Sequence, residues 1–295
     1  MYKPIGPIVA ASFLLTAAPA IAADLLVHRD LPYAEPQNKQ QRLDVYTPVD
    51  GDNHPMVLWI HGGGWITGDK TDYIEVKSRA FSERGFILVS INYRLVPAVT
   101  IGGMAGDVAK ATRWIHDHAK EYGGDPNSIF VMGWSAGAQL AALVCTDDSY
   151  LKAEGLSLHD IKGCVPIDGD SYYVALQIDT SEPSRAADYL RQGWGDPQSQ
   201  KAFSSVLRVT RNKGIPPFLI LHVADHPEPA TPGTQLQSEI LAEALRQANV
   251  PVEVVPAAGK KHLTIFTDLG LPGDKPTQAV FEFLGLQMRK PASRP

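Results

Sequence analysis

Ile129-Phe130-Val131-Met132-Gly133-Trp134-Ser135-Ala136-Gly137-Ala138-Gln139-Leu140-Ala141-Ala142-Leu143-Val144 is the stretch whose reading decides the fold. Its first four residues form a short run of large apolar side chains, as in a strand buried on both faces. Gln139 to Val144 continues as an apolar helical run, and between the two lies the pattern G-x-S-x-G. By chance alone a chain of this length would carry that bare pattern about one time in ten. What chance rarely supplies is the strand before it and the helix after it. In that setting a sharp, strained turn lifts the Ser135 hydroxyl above the sheet, and the flanking glycines remove side chains that would collide with neighbouring elements. The serine also sits at a helix N-terminus, where the positive end of the dipole favours a developing oxyanion.

Working outward, the same short runs rich in Val, Ile and Leu recur at Met56 to Ile60, Phe86 to Ile91, Cys164 to Ile167, Phe218 to Val223 and Val252 to Val255. Ahead of them, Leu25 to Val27 and Arg42 to Val49 alternate apolar and polar residues, which predicts two partly exposed antiparallel strands. Helical patterns lie between the runs. Val108, Ala111, Ile115, Ala119 and Tyr122 share one face, with Gly123 placed to end that helix. Thr234 to Ala248 and Thr277 to Leu286 supply two more. Alternating strands and helices predict an α/β fold, a mostly parallel central sheet with helices on both faces, as one domain over residues 23–295. Residues 169–215 break the rhythm and read as a small helical insertion, or cap. Its Tyr172, Tyr173, Tyr189, Trp194 and Phe203 either line a substrate pocket or form the insertion's own core.

Residues 1–22 read as a secretory signal peptide: Lys3 gives a positive start, Ile8 to Ala18 is almost wholly apolar, and Ala20-Ile21-Ala22 offers small residues at a cleavage site. The apolar run is shorter than the roughly 20 residues that span a bilayer. A secreted or periplasmic protein without a stable membrane anchor is therefore expected. Export would allow Cys145 and Cys164 to bridge, while two separate core thiols fit the pattern as well. The net charge of −5, with basic residues scattered along the chain, leaves no footprint for nucleic acid. The histidines lack zinc-site spacing and no dinucleotide-binding glycine pattern is present, so neither a metal nor an organic cofactor is expected.

A serine hydroxyl is a weak nucleophile and needs a histidine base oriented by a carboxylate. His262 is the one histidine beyond the last strand pattern, which makes it the candidate base. The strand Phe218 to Val223 runs into Ala224-Asp225-His226-Pro227-Glu228. Asp225 stands nearest the strand end and is the expected acid, with Glu228 as the alternative. Asp268 follows His262 and would violate the chain order Ser, acid, His. Asp168 follows an earlier strand, and could sit near the site without being its acid. His61-Gly62-Gly63-Gly64-Trp65 ends the strand Met56 to Ile60. Three successive glycines cost chain entropy and mark a place where backbone approaches something closely. With no Gly-Lys-Ser/Thr following, a phosphate loop does not fit. An oxyanion hole built from the N–H groups of Gly62, Gly63 and Ala136 does.

On these motifs, together with Asn92-Tyr93-Arg94-Leu95, Gly123-Gly124-Asp125-Pro126 and Cys164 to Gly169 in the same order, the chain resembles carboxylesterase and lipase-like α/β-hydrolases of the hormone-sensitive-lipase branch. The resemblance covers nearly the whole chain after the leader. It implies a triad of Ser135, Asp225 and His262, the oxyanion donors named above, a small-molecule ester substrate, and structural roles for Tyr93, Arg94 and Asp107. One departure stands out: many relatives read His-Gly-x-x-Asp at the acid, whereas His222-Val223-Ala224-Asp225 is one residue shorter and lacks the glycine. Kynurenine formamidase-like hydrolases share the glycine loop, nucleophile turn and triad order, which keeps an amidase as the rival activity. A catalytically silent binding protein on this fold would normally have lost a triad member.

Overall fold

The computed structural model describes residues 25–181, 183–184, 193–224 and 233–289. The leader, Asp225, Glu228 and Tyr189 lie outside these described residues. One eight-stranded sheet runs through the domain in the order β1-β2-β4-β3-β5-β6-β7-β8. Its strands are β1 (Leu25–Pro32), β2 (Arg42–Pro48), β3 (His54–Ile60), β4 (Ile87–Ile91), β5 (Gly124–Trp134), β6 (Ile161–Ile167), β7 (Phe218–Val223) and β8 (Val252–Ala257). β1 pairs antiparallel with β2, and β2 antiparallel with β4. Every pairing from β4 through β8 is parallel. The result is the α/β-hydrolase architecture, mostly parallel with an antiparallel edge.

Period-two alternation sorts the strand side chains into two cores, one on each face. Met56, Leu58 and Ile60 of β3 join the cluster beneath α2 (Ile101–His118) and α3 (Ala136–Thr146), along with Leu241 and Leu245 of the helix Gly233–Gln247. Val57 and Trp59, the alternate residues, join the opposite cluster beneath α1 (Ile74–Ser82) and the helix Lys275–Arg289, which contributes Val280, Phe283 and Leu284. Each fully buried Leu, Ile or Val stabilises the fold by about 1.5–3 kcal/mol before entropy is counted. Helices on both faces explain why the parallel strands read as unbroken apolar runs.

The edge differs from the expectation of two half-exposed strands. β1 is largely exposed, but β2 is buried from Leu43 to Thr47 because β1 and β4 flank it and helices cover its faces. Its buried Asp44 is satisfied by Lys70 Nζ at 2.8 Å and by the Asp30 N–H at 2.8 Å. The bracing expected of Tyr93, Arg94 and Asp107 is present. The buried Asp107 carboxylate takes a bidentate pair from Arg94 Nε (2.8 Å) and Nη2 (2.7 Å), and Gln41 Nε2 donates to it at 2.7 Å. Tyr93 Oη donates to the His61 carbonyl at 2.9 Å and so holds the start of the glycine loop. Cys145 on α3 and Cys164 on β6 are both fully buried free thiols. Burial, together with a contact to Cys145, pushes the Cys164 thiol well above its ordinary pKa.

Candidate active site

Strand β5 delivers Ser135 to the C-terminal edge of the sheet, where α3 begins. The turn between them is strained: Ser135 has φ 55° and ψ −120°, in the positive-φ region that non-glycine residues avoid. Its neighbours make that turn possible. A Cβ on Gly133 would stand 2.3 Å from the Gly137 carbonyl oxygen, and one on Gly137 would stand 2.2 Å from that of Ile60. Neither position admits any side chain, so the two glycines of the motif are required by packing between β5, α3 and β3. The Ser135 N–H donates to the Ile167 carbonyl at 2.9 Å, which ties the turn to the end of β6.

His262 lies in the loop between β8 and the short helix Thr264–Thr267, with its side chain 46% exposed. The Ser135 hydroxyl donates to His262 Nε2 at 3.0 Å, and His262 Nδ1–H donates to Asp168 Oδ2 at 2.7 Å. Among the described residues the carboxylate on the base is Asp168, which the sequence reading did not assign as the acid; the expected Asp225 lies outside the described residues. The reason is spatial. β6 lies beside β5, so a residue one step past β6 sits directly next to the nucleophile turn. Imidazole Nδ1 carries one proton, and Asp168 accepts the hydrogen bond that it donates. Asp168 is fully buried, and a positive φ of 52° turns its side chain toward the base. Its other oxygen, Oδ1, accepts the Val223 N–H from the end of β7 at 2.9 Å. Burial pushes this carboxyl up, but the hydrogen bond and charge of His262, the Val223 N–H and the Thr234 side chain outweigh it and hold the pKa below the usual carboxylate value. Asp168 is therefore ionised at neutral pH. The chain order Ser135, Asp168, His262 still runs nucleophile, acid, base.

The glycine loop packs against this pair. A Cβ on Gly62 would fall 3.1 Å from Ser135 Cβ and 2.5 Å from Trp134 Cε3. Gly63 takes φ +111°, and its carbonyl accepts the N–H groups of Ile66 (3.2 Å) and Thr67 (3.1 Å), closing a tight turn. A Cβ there would stand 2.1 Å from the Thr67 carbonyl oxygen. Beneath the loop, His61 is buried and stacks on Tyr93 with centroids 4.4 Å apart. Its Nδ1–H donates to the Gly62 carbonyl at 2.7 Å, and burial depresses its pKa, so it is neutral and serves as a fixed brace. Gly62 thus lets backbone lie where a side chain would collide with the turn that carries Ser135, and Gly63 permits the loop's own tight turn.

The insertion between β6 and β7 contains the helices Val174–Thr180 and Pro197–Ala202. Two of its aromatics belong to the core rather than to a pocket wall. Tyr172 and Trp194 are fully buried, and Trp194 meets Trp65 of the glycine loop edge-on at 4.9 Å. Trp65 Nε1 in turn donates to Gln139 of α3 at 3.3 Å, so the insertion, the loop and the nucleophile helix are packed as one body. Two positions not singled out from sequence also belong to the site. Trp134 and Phe266 stack at 4.3 Å beside His262, a contact invisible without the fold.

Sheet order, strained nucleophile turn and a Ser–His–Asp relay define an α/β-hydrolase. Residues 43–245 match the BD-FAE family model, and the chain belongs to that family. It is similar to "Isoprenylcysteine alpha-carbonyl methylesterase ICME" of Arabidopsis thaliana, 28% identical over 263 residues, covering 84% of this chain and 59% of that protein. It is also similar to "Esterase LipQ" of Mycobacterium tuberculosis, 29% identical over 273 residues, covering 87% of this chain and 62% of that protein. The chain thus spans about 60% of the length of these curated relatives. Among solved structures, Esterase B from Lactobacillus rhamnosis superposes with a TM-score of 0.74 at 21% identity, over 90% of this chain and 88% of that one, which supports the fold.

Proposed function

We propose that the protein is a serine esterase that cleaves carboxylic esters of small molecules through an acyl-enzyme. The observation that carries this reading is the continuous relay from Ser135 Oγ to His262 Nε2 (3.0 Å) and from His262 Nδ1 to Asp168 Oδ2 (2.7 Å). In the first half-reaction Ser135 Oγ bonds to the ester carbonyl carbon as its proton passes to His262 Nε2. The carbonyl oxygen becomes an oxyanion, received by the N–H groups of Gly62, Gly63 and Ala136. The bond to the alcohol oxygen then breaks, and His262 returns the proton to the leaving alkoxide. Water repeats the sequence on the acyl-serine and releases the acid. Asp168 stays ionised throughout, fixes the tautomer of His262 and stabilises its imidazolium. Relatives named as esterases favour an ester over a formamide.

Hydrolysis of p-nitrophenyl acetate by the purified protein tests the assignment. Ser135→Ala is expected to abolish turnover and labelling by a fluorophosphonate; full activity in that variant would refute it. Turnover of N-formylkynurenine well above that of simple esters would instead favour the amidase. The apolar leader supports reading the enzyme as exported, and N-terminal sequencing of the secreted form is expected to start near Ala23.

A further inference from the structure

Trp134, the residue before the nucleophile, makes three contacts that together reach both sides of the reaction centre. Its indole Nε1–H donates to the His262 carbonyl at 3.0 Å, holding the backbone of the base. Its ring lies 4.9 Å from the His262 ring, tilted by 34°. The far edge of the same ring, Cε3 and Cζ3, abuts Gly62, whose absent Cβ would meet those atoms at 2.5 and 2.7 Å. Behind it, Phe266 stacks on the indole at 4.3 Å and 9°, so the ring has no freedom to turn away.

We propose that Trp134 is a positioning residue, which ties the base loop to the glycine loop and shares in stabilising the imidazolium that His262 becomes in the transition state. The first role follows from the loop's construction. His262 is a half-exposed side chain between a strand and a four-residue helix, and its side-chain bonds to Asp168 and Ser135 do not fix its backbone. The Trp134–His262 bond does. The second role follows from the ring quadrupole: a cation within about 6 Å of an indole centroid is attracted to the electron-rich face. The attraction exists only while His262 is charged, so it acts on the transition state and not on the resting enzyme.

Among the described residues, the other charged groups around His262 are few. Asp168 faces Nδ1 from the end of β6. Lys261 precedes the base, and Lys260 is held away by Asp268 (2.7 Å) and Asp274 (2.5 Å). Lys77 lies under Phe266, its Nζ 4.0 Å from that ring. None of these groups changes when Trp134 is replaced.

The proposal rests on the triad assigned above, and Ser135→Ala in the same assay keeps the two apart: an active alanine variant sinks the triad, not Trp134. Trp134→Phe keeps a ring on Phe266 but loses the N–H donor. It is expected to lower kcat about fivefold with KM unchanged, the weight of one hydrogen bond. Trp134→Leu loses donor and ring, and is expected to lower kcat about 30-fold. In that variant the acid limb of the kcat/KM profile should also move to lower pH by about half a unit, because the imidazolium loses a stabilising face. A merely structural role would lower thermal stability without moving that limb. The proposal is overturned if Trp134→Phe keeps kcat within twofold of wild type, if the loss appears in KM, or if the limb stays in place in a folded Trp134→Leu protein. Should the leucine variant not fold by circular dichroism, the kcat-against-KM split of Trp134→Phe decides alone.

Discussion

Replacing Asp168 with asparagine changes one charge and almost no volume, and the surrounding bonds dictate what the new amide must do. Oδ1 of residue 168 accepts the Val223 N–H at 2.9 Å, a bond that the asparagine carbonyl oxygen can keep. Its NH2 group then faces His262 Nδ1, where the carboxylate had accepted at 2.7 Å. An NH2 can only donate, so Nδ1 gives up its proton and the imidazole takes the other tautomer, with the proton on Nε2. That nitrogen faces Ser135 Oγ at 3.0 Å and can no longer accept the hydroxyl proton. A wrong-tautomer base costs roughly 10⁴-fold in kcat, about 5 kcal/mol of transition-state stabilisation. The check is kcat for p-nitrophenyl acetate near neutral pH, with circular dichroism to establish folding and Asp225→Asn measured in parallel. Asp168→Asn should fall by the full factor and Asp225→Asn by less than twofold. If Asp168→Asn kept more than a tenth of the activity, or Asp225→Asn fell equally far, the reasoning from the relay would be wrong.

Lys77 is fully buried, donates to the Tyr73 carbonyl at 2.8 Å and sits against Trp59 and Phe266, and burial pushes its ammonium down to about 7. Below that value the amine is charged both folded and unfolded, and the full cost of burying the charge is present. Between about 7 and the unfolded pKa near 10.5, the unfolded chain binds more protons, so this group makes stability rise with pH by up to about 1.4 kcal/mol per unit. Urea unfolding at several pH values should show that rise in the wild type and its loss in Lys77→Met; parallel curves would refute it. Gly62→Ala places a methyl group 2.5 Å from Trp134 Cε3 and forces loop and indole apart. It is expected to cost about 100-fold in kcat with little change in melting temperature, the effect of one misplaced oxyanion donor.

The parallel strands were legible in the sequence as short apolar runs, β1 and β2 as alternating ones, and the nucleophile turn because its glycines leave no alternative. His262 followed from position alone. Asp168 did not, since a carboxylate after one strand looks like a carboxylate after the next, and only the adjacency of β6 to β5 separates them. The missing glycine after His222 was the sequence's one sign of a departure at the expected acid position. Burial of β2 was missed because its alternation records Asp44, a buried charge paired with Lys70, as a solvent-facing residue. Trp134 and Phe266 were missed because their contact joins residues far apart in the chain.

A base oriented from the end of β6 takes its carboxylate from the strand that neighbours the nucleophile, so acid and serine turn are carried by adjacent strands. Asp168 is tethered through Val223 to the end of β7 as well, so a redesign that leaves β5, β6 and β7 intact keeps the spacing of acid and nucleophile.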